Sequence, residues 1–121
     1  MAVQTVPREL TKQYGIVEVN GEHEKCPTIR SIVEKPDPQV APSTMAVIGR
    51  YVLEPEIFDS LRKIDRGAGG EIQLTDAIAR EIPKGKTVAC KYDGERFDCG
   101  SKQGFLNATV HYARKEGYRI I

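Results

Sequence analysis

A mixed α/β fold, with helices covering one face of a sheet, is what this sequence predicts, and three observations carry that reading. Short β-branched runs recur through the chain, three segments carry apolar residues at helical spacing, and Pro and Gly punctuate the boundaries between them. At 121 residues there is room for a single domain. The 40% hydrophobic and 29% charged shares are those of an ordinary globular chain rather than a disordered or fibrous one.

Taken in order, Tyr14 to Val19 reads as a strand closed by Asn20-Gly21, and Ile29 to Val33 as a second, with a polar loop from Glu22 to Thr28 between them. The three prolines at 36, 38 and 42 then end the pairing, because proline cannot donate to a ladder. Met45 to Leu53 is almost continuously apolar apart from Gly49 and Arg50, the pattern of a central strand covered on both faces. Pro55 suits the first turn of a helix running to about Lys63, with Ile57, Phe58, Leu61 and Ile64 as its apolar stripe.

Gly67-Ala68-Gly69-Gly70 breaks that helix into a flexible loop. Leu74, Ile78 and Ile82 stand at i, i+4 and i+8 of a second helix, for which Thr75 is the candidate N-cap. Pro83 and Gly85 end it. Val88, Cys90 and Tyr92 alternate with Thr87, Ala89 and Lys91 as in a half-buried strand, and Asp93-Gly94 is a hairpin signal leading to a short strand at Arg96 to Asp98. Phe105, Leu106, Thr109, Tyr112 and Ala113 mark a closing helix from about Lys102 to Glu116. The predicted order is β-β-β-α-α-β-β-α.

Charge excludes some partners. Eighteen Lys and Arg against seventeen Asp and Glu leave a net charge of +1, so no global field favours nucleic acid or an anionic membrane. Lys84, Lys86 and Lys91 are scattered without interleaved aromatics. No apolar run reaches the roughly 20 residues of a spanning helix, and the first ten residues carry charges where a signal peptide is apolar. Cys26, Cys90 and Cys99 form neither a Cys-x-x-Cys pair nor an even disulfide set, so the expected compartment is the cytoplasm.

Two positions bear chemistry. Glu34-Lys35-Pro36 sets a carboxylate beside an ammonium where a strand gives way to a loop; the carboxylate suits sugar hydroxyls and the ammonium a phosphate. The same pair also fits a solvated strand end. Asp98, just before Gly100 and a helix, suits magnesium, which takes one or two carboxylates beside phosphate and water. It equally suits a helix cap or turn. Cys99 has no histidine nearby in sequence, and the glycines at 67, 69 and 70 lack the Gly-Lys-Ser/Thr ending of a phosphate loop.

A longer resemblance joins these positions. Tyr14-Gly15-Ile16-Val17, Ile32-Val33-Glu34-Lys35-Pro36, Val40-Ala41-Pro42-Ser43 and Ala46-Val47-Ile48-Gly49-Arg50-Tyr51-Val52-Leu53 come first. Gly67-Ala68-Gly69-Gly70-Glu71-Ile72-Gln73-Leu74-Thr75-Asp76-Ala77-Ile78 and Phe97-Asp98-Cys99-Gly100 follow. Their order and spacing resemble those of bacterial UTP-glucose-1-phosphate uridylyltransferases, also called UDP-glucose pyrophosphorylases. The resemblance covers Tyr14 to about Tyr112. It implies the later strands and helices of a Rossmann-like nucleotidyltransferase fold with a mixed sheet.

The resemblance further implies that Glu34 holds glucose hydroxyls, that Lys35 binds the sugar phosphate and serves catalysis, and that the backbone of Gly15 approaches the sugar. Asp98 would be one of two aspartates holding catalytic Mg2+. The implied partners are UTP, glucose 1-phosphate and UDP-glucose. Nothing in Met1 to Leu10 resembles the family's nucleotide-binding half, so residues 1–121 are expected to be the C-terminal, sugar-phosphate-binding portion of a truncated domain, inactive alone. A homo-oligomer is expected, since such a half-fold leaves apolar surface uncovered. The alternatives are a non-catalytic sugar-phosphate-binding or assembly module, or part of a thymidylyl- or adenylyl-transferase.

Overall fold

The computed structural model describes residues 1–21 and 23–120, with the backbone alone at Ala68. Glu22, the first residue of the predicted polar loop, lies outside the described residues. Five strands, β1 (Ala2–Thr5), β2 (Gly15–Asn20), β3 (Thr28–Glu34), β4 (Met45–Val47) and β5 (Cys90–Lys91), form one sheet in the order β3-β2-β4-β1-β5. β3, β2, β4 and β1 pair antiparallel in succession, and β5 joins β1 in parallel, so the sheet is mixed. Helices α1 (Ile57–Lys63), α2 (Leu74–Glu81) and α3 (Lys102–Lys115) complete the α/β fold.

The core follows from strand alternation and helix periodicity. Val3, Val17, Ile32 and Val47 from the sheet meet Ile57 of α1 and Ala77 and Ile78 of α2 in one buried cluster. Ile78 is the middle member of the predicted i, i+4, i+8 stripe, with Leu74 and Ile82 packed at the rim. Phe58, counted in the α1 stripe, instead points to solvent.

β4 does occupy the middle of the sheet, but it is three residues long rather than nine. Gly49 adopts a left-handed conformation at φ +75° and turns the backbone out of the ladder. Beyond it Val52 is 95% exposed, so the expected cover on both faces stops at Val47. Composition could not show this, because an apolar run reads alike on either side of a glycine.

The region after α2 departs further. Ala89 is the buried residue of its run, while Val88, Cys90 and Tyr92 are exposed, the reverse of the expected alternation. Only Cys90 and Lys91 form a strand; Asp93-Gly94 makes no hairpin and Arg96 to Asp98 joins no ladder. The strand β1 and a 3-10 turn over Arg8–Gln13 were not predicted. Val3 supplies β1 with a single core residue, too little for a periodic signal. Among the described residues no helix is long and apolar enough to cross a membrane.

A side-chain hydrogen bond ties α1 to α2. Glu81, at the end of α2, accepts from the Lys84 ammonium and from the Ser60 hydroxyl of α1. The Lys84 bond first, and the Ser60 bond second, hold the Glu81 carboxyl below its ordinary value. A carboxyl lowered in the folded state stabilises above its unfolded value and loses that contribution as pH falls through the folded one. Acid titration of stability should therefore be shallower for Glu81→Gln than for the parent; identical acid slopes would show the contact to be inert.

Candidate functional site

The register of one strand pair assembles the site. Gly15, first in β2, sits opposite Glu34, last in β3, so the glycine backbone and the carboxylate are cross-strand neighbours. α2 then delivers a third member. Its first turn places Thr75, a buried residue, with Oγ1 donating to Glu34 Oε2 at 2.6 Å. Thr75 is thus not the N-cap: the helix begins at Leu74, two residues earlier than such a cap would place it, Gln73 holds the cap position, and the hydroxyl is given to a carboxylate. Such a charge-assisted bond is stronger than the neutral one it replaces.

Gly15 has a steric reason to be glycine. Its φ is ordinary, but a Cβ there would lie 3.1 Å from Glu34 Oε2 and 3.6 Å from Thr75 Oγ1, pressing on the bonded pair. Only a bare backbone leaves that hydrogen bond undisturbed.

Lys35 follows with the sole left-handed backbone of any non-glycine residue among those described, at φ +47°. Its N–H donates to Tyr14 O at 2.9 Å, and its position before Pro36 disfavours right-handed helical geometry. A left-handed non-glycine residue costs about 1–2 kcal/mol, and strain of this kind concentrates where side-chain placement matters. The Lys35 side chain is exposed, and no carboxylate pairs with it among the described residues.

Tyr51 belongs to the same neighbourhood. Burial first, and the Glu34 carboxylate second, push its phenol above the ordinary value. Tyr14, the residue before Gly15, accepts a hydrogen bond at its hydroxyl from Arg96 at 3.2 Å, with the guanidinium 5.2 Å from the ring centroid. That contact anchors the segment leading to Asp98 beside β2.

Asp98 itself is exposed and stabilises a turn, its Oδ1 accepting from Gly100 N at 3.0 Å. Ser101, not Asp98, caps α3, accepting from Gly104 N at 3.0 Å. A Cβ on Gly104 would come 1.8 Å from the Asp98 carbonyl oxygen, so helix and turn are closely joined. Gly15, Glu34 and Thr75 are therefore in contact and Lys35 adjoins them, whereas Asp98 shares no hydrogen bond with them and follows Arg96, which reaches Tyr14.

Gly67 N donates to Glu71 O at 2.8 Å and Gly70 N to Gly67 O at 2.9 Å, so these two glycine N–H groups are engaged within the turn itself. The expected flexible loop is a 3-10 turn. His111 pairs with Glu95 at 3.0 Å and packs against Phe97 rather than serving Cys99.

The residues that sequence reasoning missed are Thr75 in its true role and Tyr51. Both stand in segments that carry the resemblance, but their relation to Glu34, a hydrogen bond for Thr75 and an electrostatic influence for Tyr51, arises from packing between distant elements, 41 residues apart in the Thr75 case. Local spacing carries no trace of that.

Comparison with known proteins agrees with this architecture. The UTP–glucose-1-phosphate uridylyltransferase of Komagataeibacter xylinus is 51% identical over 102 residues, covering 84% of this chain and 36% of that protein. Its namesake from Pseudomonas aeruginosa is 44% identical over 109 residues, covering 90% and 39%. A crystal structure of UDP-glucose pyrophosphorylase complexed with UDP-glucose superposes with a TM-score of 0.88 at 38% identity, over 94% of this chain and 43% of that one. The UTP-bound enzyme of Acinetobacter baumannii gives 0.79 at 41% identity, over 95% and 39%. The chain thus spans about two fifths of the length of these relatives. With the nucleotidyl transferase profile matching residues 1–115 and the mixed sheet superposing on these structures, the chain belongs to the nucleotidyl transferase family.

Proposed function

We propose that this chain is the C-terminal, sugar-phosphate-binding portion of a UTP-glucose-1-phosphate uridylyltransferase, inactive by itself. The observation that carries the reading is the Gly15–Glu34–Thr75 convergence with Lys35 beside it. Glu34, oriented by Thr75, has a free oxygen-acceptor capacity for glucose hydroxyls, since a carboxylate offers about four lone-pair sites and Thr75 takes one. Gly15 lets the sugar approach the backbone, and Lys35 meets the phosphate. In the complete enzyme a phosphate oxygen of glucose 1-phosphate attacks the α-phosphorus of UTP; the α–β anhydride bond breaks and pyrophosphate leaves. Lys35 serves that step by positioning the nucleophile and neutralising its charge.

Asp98 suits magnesium as one ligand of a shared site. Among the described residues no group of three or more His, Cys, Asp or Glu could hold a metal, so a second carboxylate and substrate phosphates would have to complete the coordination. One Asp98 oxygen is committed to Gly100 N, which orients the carboxylate. When bound, the cation neutralises phosphate charge.

We place the protein in the cytoplasm, the compartment that suits a resting state with Cys26, Cys90 and Cys99 as free, exposed thiols. Self-association would cover the apolar side chains of α3, of which Phe105 is 62% exposed.

The test has two arms. Purified alone, the chain should release no pyrophosphate from UTP and glucose 1-phosphate; magnesium-dependent release would sink the portion reading. In a full-length uridylyltransferase carrying this segment, Asp98→Asn should lower activity and shift the magnesium titration to higher concentration, with partial recovery at excess metal. An unchanged titration would leave Asp98 as a turn residue.

A further inference from the structure

We infer that Cys26 and Cys90 form a covalent modification site, a cross-strand dithiol that a low-molecular-weight disulfide of the glutathione type converts to an intramolecular disulfide. The site involves none of Gly15, Glu34, Lys35 and Thr75 and owes nothing to the reading of those residues.

The placement follows from register. Thr28 forms an antiparallel bridge with Val88, flanked by bonds from Ile29 N to Thr87 O and from Ala89 N to Pro27 O, both 2.9 Å. Lys91 N then donates to Lys25 O at 3.2 Å. Between those last two bonds Cys26 and Cys90 stand opposite each other, two residues beyond the bridge, at a non-hydrogen-bonded position. Pro27, having no N–H, leaves the second bond of that ring unmade. Non-hydrogen-bonded partners bring their Cα atoms to about 4.5 Å, within the roughly 4.4–6.8 Å that disulfides use.

The side chains confirm what the backbone prepares. The two Sγ atoms are 3.1 Å apart, so an approach of about 1 Å completes a bond of about 2.05 Å. Both cysteines are exposed, so an oxidant reaches either sulfur. The location gives the bond a structural consequence. β3 and β5 are the two edges of the sheet, and residues 25–29 and 87–91 are where those edges meet. A disulfide here welds that seam and closes a loop between residues 64 apart in sequence.

The chemistry balances. One cysteine thiolate attacks a sulfur of the oxidant RSSR, forming a mixed disulfide and releasing one RSH after protonation. The second cysteine attacks the protein sulfur of that mixed disulfide, the Cys26–Cys90 bond forms, and the second RSH departs. The protein loses two electrons and two protons, and the oxidant gains them.

The experiment treats the reduced chain with oxidised glutathione. Thiol titration in denaturant should fall from three groups to one per chain, and digestion without reduction should yield the Cys26 and Cys90 peptides joined. The melting temperature should rise by about 5–15 °C. The rise should vanish in Cys26→Ser and Cys90→Ser and persist in Cys99→Ser. Three persisting thiols, a stable glutathione adduct on either cysteine, or Cys99-linked dimers with Cys26 and Cys90 unjoined would each overturn the proposal.

Discussion

Lys35→Ala, introduced into a full-length uridylyltransferase carrying this segment, is expected to lower kcat/KM for glucose 1-phosphate about 10- to 100-fold. A charge-assisted bond to phosphate is worth roughly 1.5–3 kcal/mol, which sets that range. Alanine inherits the left-handed backbone at φ +47°, so the substitution removes the ammonium without relieving the turn. Lys35→Gly adds the complementary arm. It removes the same charge and frees the backbone, and it should lose activity to the same extent. Added magnesium should restore neither variant, in contrast to Asp98→Asn, because a cation held elsewhere cannot replace a donor at this position. Near-parental kinetics in both Lys35 variants would return Glu34-Lys35 to a solvated pair at a strand end.

The parts of this molecule that local chemistry dictates were legible. The β2 and β3 strands, the α1 helix, which begins at Ile57 behind a Glu56 cap rather than at Pro55, and the closing helix beginning at Lys102 follow from periodicity and breakers acting within a few residues. Glu34 and Lys35 stood out because unlike charges met at a strand exit, and β2–β3 register then set Gly15 against Glu34. What stayed hidden depends on distant contacts. Ala89 takes the core position because residues 87–91 pair with both β1 and the segment before β3, and Ala89 N is claimed by Pro27 O. Periodicity could only favour the larger Val88 and Tyr92. Likewise Ser101 rather than Asp98 caps α3, since Asp98 Oδ1 is taken by Gly100 N. Two plausible caps three residues apart are not separable by residue type alone.

Thr75→Val is expected to separate a working Glu34–Thr75 pair from a packing contact. Valine keeps the branched shape in a position that is 8% exposed, but it takes the hydroxyl from Glu34 Oε2. The carboxylate then loses a charge-assisted donor worth roughly 1.5–3 kcal/mol and faces a methyl group, a poor neighbour for an anion. In the full-length enzyme the loss should appear as a roughly 10-fold rise in KM for glucose 1-phosphate, with kcat changed less, because Thr75 orients a substrate-binding group rather than touching reacting atoms. Thr75→Ser restores the donor while removing the methyl group. It should recover most of the affinity even though it leaves a small gap against Gly15. A structural role alone predicts the opposite order, with Val near-parental and Ser impaired by its lost packing, and that order would detach Thr75 from the sugar site.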